Sequence, residues 1–193
     1  MLKIKNICVY CGTCTGNGPV YAKTAIALGE LLAARKIGLI YGGSYAGTMR
    51  ILADTVLSAG GQVCGIIPKS FGAEAVHPKL TELVETNSIH ERKRLMIERS
   101  DAIIAMPGGF GTLDEIMEAL AWRQLNIHQS PCGFLNPNGF YDGLINFLEH
   151  TVTAGFLRTQ HYRIIQTAAN SEELLIKLEN YEHIDDNRWR QDG

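Results

Sequence analysis

Residues 100–122 read SDAIIAMPGGFGTLDEIMEALAW, and the reading of this stretch decides the fold. An apolar run at 102–106, of the length and composition of a buried strand, stops at Pro107. The chain then turns through Gly108, Gly109 and Gly111 and resumes as a helix at Thr112. Glycines in such a turn let backbone N–H groups approach an anion closely. The helix N-terminus adds its unpaired N–H groups and the positive end of its dipole, so the stretch predicts a phosphate site. Asp114 and Glu115 follow in the first turn of the expected helix, placed to face whatever is attached to that phosphate.

The same strand, glycine turn and helix recur on either side. Residues 4–10 form a β-branched run that ends in the loop 12–19, and 20–35 then carry Ala22, Ile26, Leu28, Leu31 and Leu32 at helical spacing. A second strand at 38–41 is closed by Gly42 and Gly43 and followed by a helical pattern over 48–59. Gly60 and Gly61 end that helix, and a third strand at 62–67 is stopped by Pro68. A loop over 69–79 carries Glu74 and His77, and a short strand is expected at 80–85. Asn87 or Ser88 caps a charged helix over 89–99, with Glu91 placed as in a capping box. Downstream, 131–135 reads as a strand, 136–139 as a turn, 141–153 as a helix and 164–167 as the last strand. Asn170 or Ser171 caps a final amphipathic helix.

This alternation predicts an α/β fold: a single Rossmann-like doubly wound parallel sheet with helices on both faces, one domain over 1–181 and a polar tail over 182–193. Ligands bind such sheets at the carboxyl ends of the strands. The glycine turns at 12–18, 42–47 and 108–111 all follow strands there and should meet at one crevice.

A chain of 193 residues, 46% hydrophobic and 20% charged, is long enough to bury one sizeable core. Its net charge of -2 leaves no basic footprint, so nucleic acid is not an expected partner. No run is apolar enough for a secretory leader or a membrane span, and a cytoplasmic location is expected. Cys8, Cys11 and Cys14 stand at C-x-x-C-x-x-C spacing, as in an iron–sulfur loop. Cys8, Cys64 and Cys132 nevertheless lie in apolar strand-like runs, so reduced structural thiols are expected and no metal.

Several familiar signatures are broken. Ser44 takes the place of the second glycine of a dinucleotide fingerprint in 42–47, and Thr48 stands where a Walker loop needs lysine. His90 and Glu91 begin no H-E-x-x-H. Arg92 and Lys93 are open to two readings: a solvated helix face, or an anion-binding pair aimed at the crevice. Glu115 compensates the helix dipole, as Glu118 does one turn later, or it works chemically. A carboxylate beside a ribose phosphate suits cleavage of the N-glycosidic bond, because it stabilises an oxocarbenium-like transition state and activates water.

With IHERKRLM at 89–96, PGGFGTLDE at 107–115, VYCG at 9–12 and YGG followed by Gly47, the chain resembles the Lonely Guy (LOG) family over nearly its whole length. Members are cytokinin-activating phosphoribohydrolases, often mislabelled lysine decarboxylases. The resemblance implies release of an adenine-type base and ribose 5-phosphate from a nucleoside 5'-monophosphate, typically N6-substituted. It places the catalytic roles on Arg92 and Glu115. Substrate contacts fall on Glu74, Lys93 and the phosphate loop of Gly108, Gly109, Gly111 and Thr112, with Asp114 beside them. It implies no metal or organic cofactor, and a homodimer with its active sites close to the interface. The sequence departs from the family pattern at Ser44, Thr48, Arg50 and Ala121, positions that bear on which base is accepted. Two competing readings stand beside this one: a non-catalytic nucleotide-binding or sensing module, and a decarboxylase needing a pyridoxal cofactor on a lysine.

Overall fold

In the computed structural model, which describes residues 2–182, all seven expected strands form and run parallel. They are β1 (Asn6–Tyr10), β2 (Gly38–Tyr41), β3 (Val63–Pro68), β4 (Glu82–Thr86), β5 (Ala102–Ala105), β6 (Cys132–Leu135) and β7 (Ile165–Ala168). The helices are α1 (Val20–Ala34), α2 (Gly47–Ser58), α3 (Ile89–Glu98), α4 (Phe110–Gln124), α5 (Asp142–Thr153), the single turn α6 (Thr159–Tyr162) and α7 (Ser171–Glu179). The expected tail lies outside the described residues, Glu182 excepted.

The sheet order β4-β3-β2-β1-β5-β6-β7 is that of a doubly wound fold. The chain fills one half outward from β1 and then crosses to β5 to build the other. At that crossing the carboxyl ends of β1 and β5 lie side by side, with Tyr10 registered against Ala105. The loops leaving them diverge and open a crevice.

Strand residues alternate between two cores. Ile7, Val9, Leu39, Tyr41 and Ile104 pack under α1, α2 and α7, whereas Cys8, Tyr10, Ile40, Ile66 and Ile103 pack under α3, α4 and α5. Burial on both faces explains why these strands read as unbroken apolar runs. The edge strand β4 differs, exposing Glu82, Leu83 and Glu85, and the two charged residues blunt that edge against pairing with another chain. Cys8 and Cys11 belong to opposite cores and Cys14 is exposed, so the three do not converge on one metal.

Two boundaries move in ways that matter for the site. The helix expected from Thr112 begins at Phe110, because the Leu113 N–H already bonds the Gly109 carbonyl at 3.1 Å. Glycine and phenylalanine are tolerated there since the first N–H groups of a helix have no carbonyl to meet. The loop over 69–79 holds two 3-10 turns, Lys69–Phe71 and Ala73–Ala75, joined at Gly72.

Candidate active site

A cavity of about 420 Å3 opens at the carboxyl ends of β1, β2 and β5, where the sheet changes direction. The N-terminus of α4 forms one wall. Gly109 occupies the N-cap position and supplies no side-chain acceptor, so the N–H groups of Phe110, Gly111 and Thr112 head the helix without an intrahelical carbonyl. Beyond its local backbone, a Cβ built at Gly109 or Gly111 would meet no atom of the described residues within 4 Å. Internal packing therefore does not require glycine at either position; its absence of side chain leaves bare backbone facing the cavity. Gly108 differs, since a side chain there would overlap Thr112, itself buried beneath the turn.

The opposite wall is α3. Ser88 Oγ accepts a hydrogen bond from the Glu91 N–H at 3.1 Å, as expected of a capping box, and Glu91 Oε2 accepts the return bond from the Asn87 N–H at 2.7 Å, one residue before the cap. The helix so anchored turns Arg92 inward. Arg92 Nε donates to the Ile66 carbonyl at 3.0 Å, and Nη1 meets Glu115 Oε1 at 3.0 Å, with the two side chains only 12% and 10% exposed. Gly42 makes room for this, because a Cβ there would collide with the guanidinium and with Met49.

Glu115 is consequently neither solvated nor a dipole partner. With α4 starting at Phe110, no acidic residue lies in its first turn, and the dipole's pull fades beyond that turn. Burial raises the Glu115 carboxyl above its ordinary range. The nearby Asp114 and Glu118 charges push the same way, while Arg92 and Lys93 pull it back. A buried carboxylate of raised pKa that stays paired with an arginine and lines a cavity is a functional-site signature.

Lys93 is also buried, so the solvated-face reading of the pair fails; Arg94, bonded twice to Glu98 at 2.8 Å, occupies the solvent side instead. Lys93 Nζ donates to Asp114 Oδ2 at 3.0 Å and forms an ion pair with Glu118. Burial works to lower its pKa, but the Glu118 and Asp114 carboxylates overcome this and raise it. Its amine is thus held as an ammonium, the wrong state for an imine with pyridoxal.

Arg92, Lys93, Gly109, Gly111, Thr112, Asp114 and Glu115 all line the one cavity. Gly108 stands just outside it, and Glu74 does not reach it: its side chain is exposed and folds back over Gly72. Among the departures from the family pattern, Ser44 lines the cavity, while Thr48 is buried with its hydroxyl on the Gly12 carbonyl at 3.0 Å. Arg50 stacks over Tyr45 at 5.6 Å, and Ala121 sits on the exposed side of α4, away from the cavity. Met49, Phe71 and Ile89 supply apolar wall. The residue-by-residue reading passed over all three, because a helix-core methionine and two exposed apolar residues carry no signal until the loops close together.

A family model described as possible lysine decarboxylase matches residues 49–178. The chain is 42% identical over 180 residues to a rice (Oryza sativa subsp. japonica) protein named probable cytokinin riboside 5'-monophosphate phosphoribohydrolase LOGL9, covering 93% of this chain and 79% of that one. It is 41% identical over 181 residues to the Arabidopsis thaliana cytokinin riboside 5'-monophosphate phosphoribohydrolase LOG7, covering 93% and 83%. Among solved structures, a structural-genomics target superposes with a TM-score of 0.70 at 25% identity over 92% of this chain and 99% of that one. The molybdenum cofactor carrier protein of Chlamydomonas reinhardtii superposes with a TM-score of 0.66 at 19% identity, over 91% of this chain and 100% of that one, a likeness of fold alone. Agreement at this level along nearly the whole chain means that the chain belongs to the Lonely Guy (LOG) family.

Proposed function

We propose that the chain is a phosphoribohydrolase acting on adenosine 5'-monophosphates, including N6-substituted ones, and releasing a free adenine-type base and ribose 5-phosphate. The observation that carries this reading is a buried, arginine-paired Glu115 in the same cavity as the bare N-terminus of α4. The 5'-phosphate rests on the N–H groups at 110–112, where the helix dipole favours an anion. The ribose then extends toward Glu115. As the C1'–N9 bond breaks, positive charge grows on the ribose, and the Glu115 carboxylate stabilises it while drawing a proton from the water that attacks C1'. The electron pair of the broken bond stays on the base, which takes up a proton. Arg92, fixed at its Nε by the Ile66 carbonyl, keeps Glu115 ionised and aimed. Lys93 holds the Asp114 carboxylate in place beside it. The activity for which the plant relatives are named supports this chemistry.

The same reading includes a single catalytic domain over 1–181, a cytoplasmic location and a homodimer. Among the described residues no helix is long and apolar enough to cross a membrane. Phe110, 93% exposed at the cavity mouth, Met117 and Leu125 recur along one side of α4 beside the exposed Ile89 of α3, an apolar face that suits a second copy next to the site. Incubation with AMP and with its N6-isopentenyl analogue, followed by chromatography, tests the reaction: free base from at least one is expected. No base from either, with Glu115→Ala indistinguishable from the parent, would overturn it. Sedimentation tests the dimer.

A further inference from the structure

A second cavity of about 280 Å3 adjoins the first, and Gly12, Thr13 and Gly109 wall both. The shared wall is thus the loop after β1 and the residue that heads α4. Beyond it the character changes. The second cavity is bounded by Cys14, Thr15, Tyr21, Pro107 and Phe140, and no wall residue is charged. Tyr21 lies flat on the loop because Gly16 has no side chain to meet its ring, and its ring meets Phe140 edge-on at 5.7 Å between centroids. Phe140 is 42% exposed. This aromatic recess meets the phosphate loop at Gly108 and Gly109 but is lined by none of Arg92, Lys93 and Glu115, the side chains assigned to cleavage of a nucleoside monophosphate.

The charges at the seat define what it accepts. The two cations lining the larger cavity, Arg92 and Lys93, are both committed to carboxylates. The seat itself consists of neutral N–H donors. Among the described residues a phosphate dianion finds no cation there that is not already paired with a carboxylate, so esterifying one of its oxygens forfeits no ion pair.

We propose that the second cavity is a binding site for a ring joined to the phosphate, so that the site accepts nucleoside 5'-phosphodiesters, the class that includes dinucleotides, with the esterifying ring against Tyr21 and Phe140. This rests on the reading of the α4 N-terminus as the phosphate seat.

The probe is the phenyl ester of AMP, measured against AMP by calorimetry and by competition. The ester binds within about threefold of AMP or tighter, since the ring contacts replace what one charge loses. Cys14→Trp fills the second cavity from an exposed position and weakens the ester about tenfold or more, while AMP binding and cleavage shift less than about twofold. Phe140→Ala acts in the same direction. Cys14 is the exposed cysteine and the other four are buried, so its alkylation by iodoacetamide gives a readout independent of any variant's folding. Saturating ester must slow it more than saturating AMP. An ester that fails to bind where AMP binds overturns the proposal. So does an ester that binds equally well after Cys14→Trp and leaves Cys14 no better protected than AMP does. If AMP itself is neither bound nor cleaved, the phosphate reading falls and takes this inference with it.

Discussion

Two helices begin at the same edge of the sheet and are finished in opposite ways. The N-terminus of α3 is closed by its own side chains, with Ser88 on the Glu91 N–H and Glu91 on the Asn87 N–H. The N-terminus of α4 has a glycine in the cap position, glycines on both sides and no side-chain acceptor. A capped start satisfies its donors internally and serves as scaffold: α3 holds Arg92 and Lys93 still. A bare start leaves donors for something else to satisfy, at a cost in stability that a bound anion offsets. The starts of α1 and α2, at Pro19 and Ala46, are likewise without side-chain caps and border the same loops. At this edge of the sheet the side-chain cap thus marks the helix that braces Arg92 and Lys93, and the uncapped starts border the loops that wall the cavity.

The strongest way to break this division is to remove the chemistry and leave the receptor. Glu115→Gln keeps an acceptor for Arg92 but gives up the charge. Turnover of AMP should fall by about 10²–10⁴ while nucleotide affinity stays within a few-fold, read by steady-state kinetics beside calorimetry. A parallel loss of affinity would mean that Glu115 holds substrate rather than acting on the reacting bond. The pH profile sharpens the same point. Burial raises Glu115 from the ordinary value of 4.5, and the proposed reaction uses its ionised form. Activity should therefore fall on the acid side with a midpoint above 4.5, losing about tenfold per pH unit below it. Asp114→Asn removes a neighbouring negative charge and should move that midpoint downward.

Much of this was legible in the sequence because the signals are local. Apolar runs bounded by glycine or proline locate β1, β2, β3, β5 and β6, the edge strands β4 and β7 are legible only as short candidates between helices, and the serine and glutamate three residues apart locate the cap of α3. The paired arginine and lysine were ambiguous as sequence, since a charged helix such as 89–99 reads equally well as a solvated face. Only packing against β3 and α4 assigns Arg92 and Lys93 inward and Arg94 outward. Local sequence puts the start of α4 at Thr112, two residues after its true start at Phe110, because glycines argue against helix. Those two residues decide that Glu115 lies beyond the reach of the dipole. Glu74 shows the opposite limit: motif similarity carries a residue's position but not its rotamer, and here the side chain turns away from the cavity.

A smaller effect tests the receptor half. Gly111 lies inside α4 with no atom near the place of a Cβ, so Gly111→Ala costs no packing and gains helix propensity. Thermal stability should rise slightly, by at most about 1 kcal/mol, while the affinity for AMP drops about tenfold as the methyl enters the anion's space. Opposite signs in the two measurements are what a site left open for a ligand requires. A rise in both would mean that the glycine serves only the turn.

The smallest effect belongs to the scaffold half. Ser88→Ala removes the acceptor for the Glu91 N–H and leaves the Glu91 bond to Asn87 in place. The expected loss is about 1 kcal/mol of stability, seen as a fall of about 2–4 °C in melting temperature for a chain of this length. AMP affinity should move less than about twofold, because neither Ser88 nor Glu91 lines the cavity and Arg92 keeps its hold on the Ile66 carbonyl. Stability lost with binding kept at Ser88, set against stability kept with binding lost at Gly111, is the signature of two helix starts built for different work. Loss of affinity at Ser88→Ala would show instead that the start of α3 also receives the substrate.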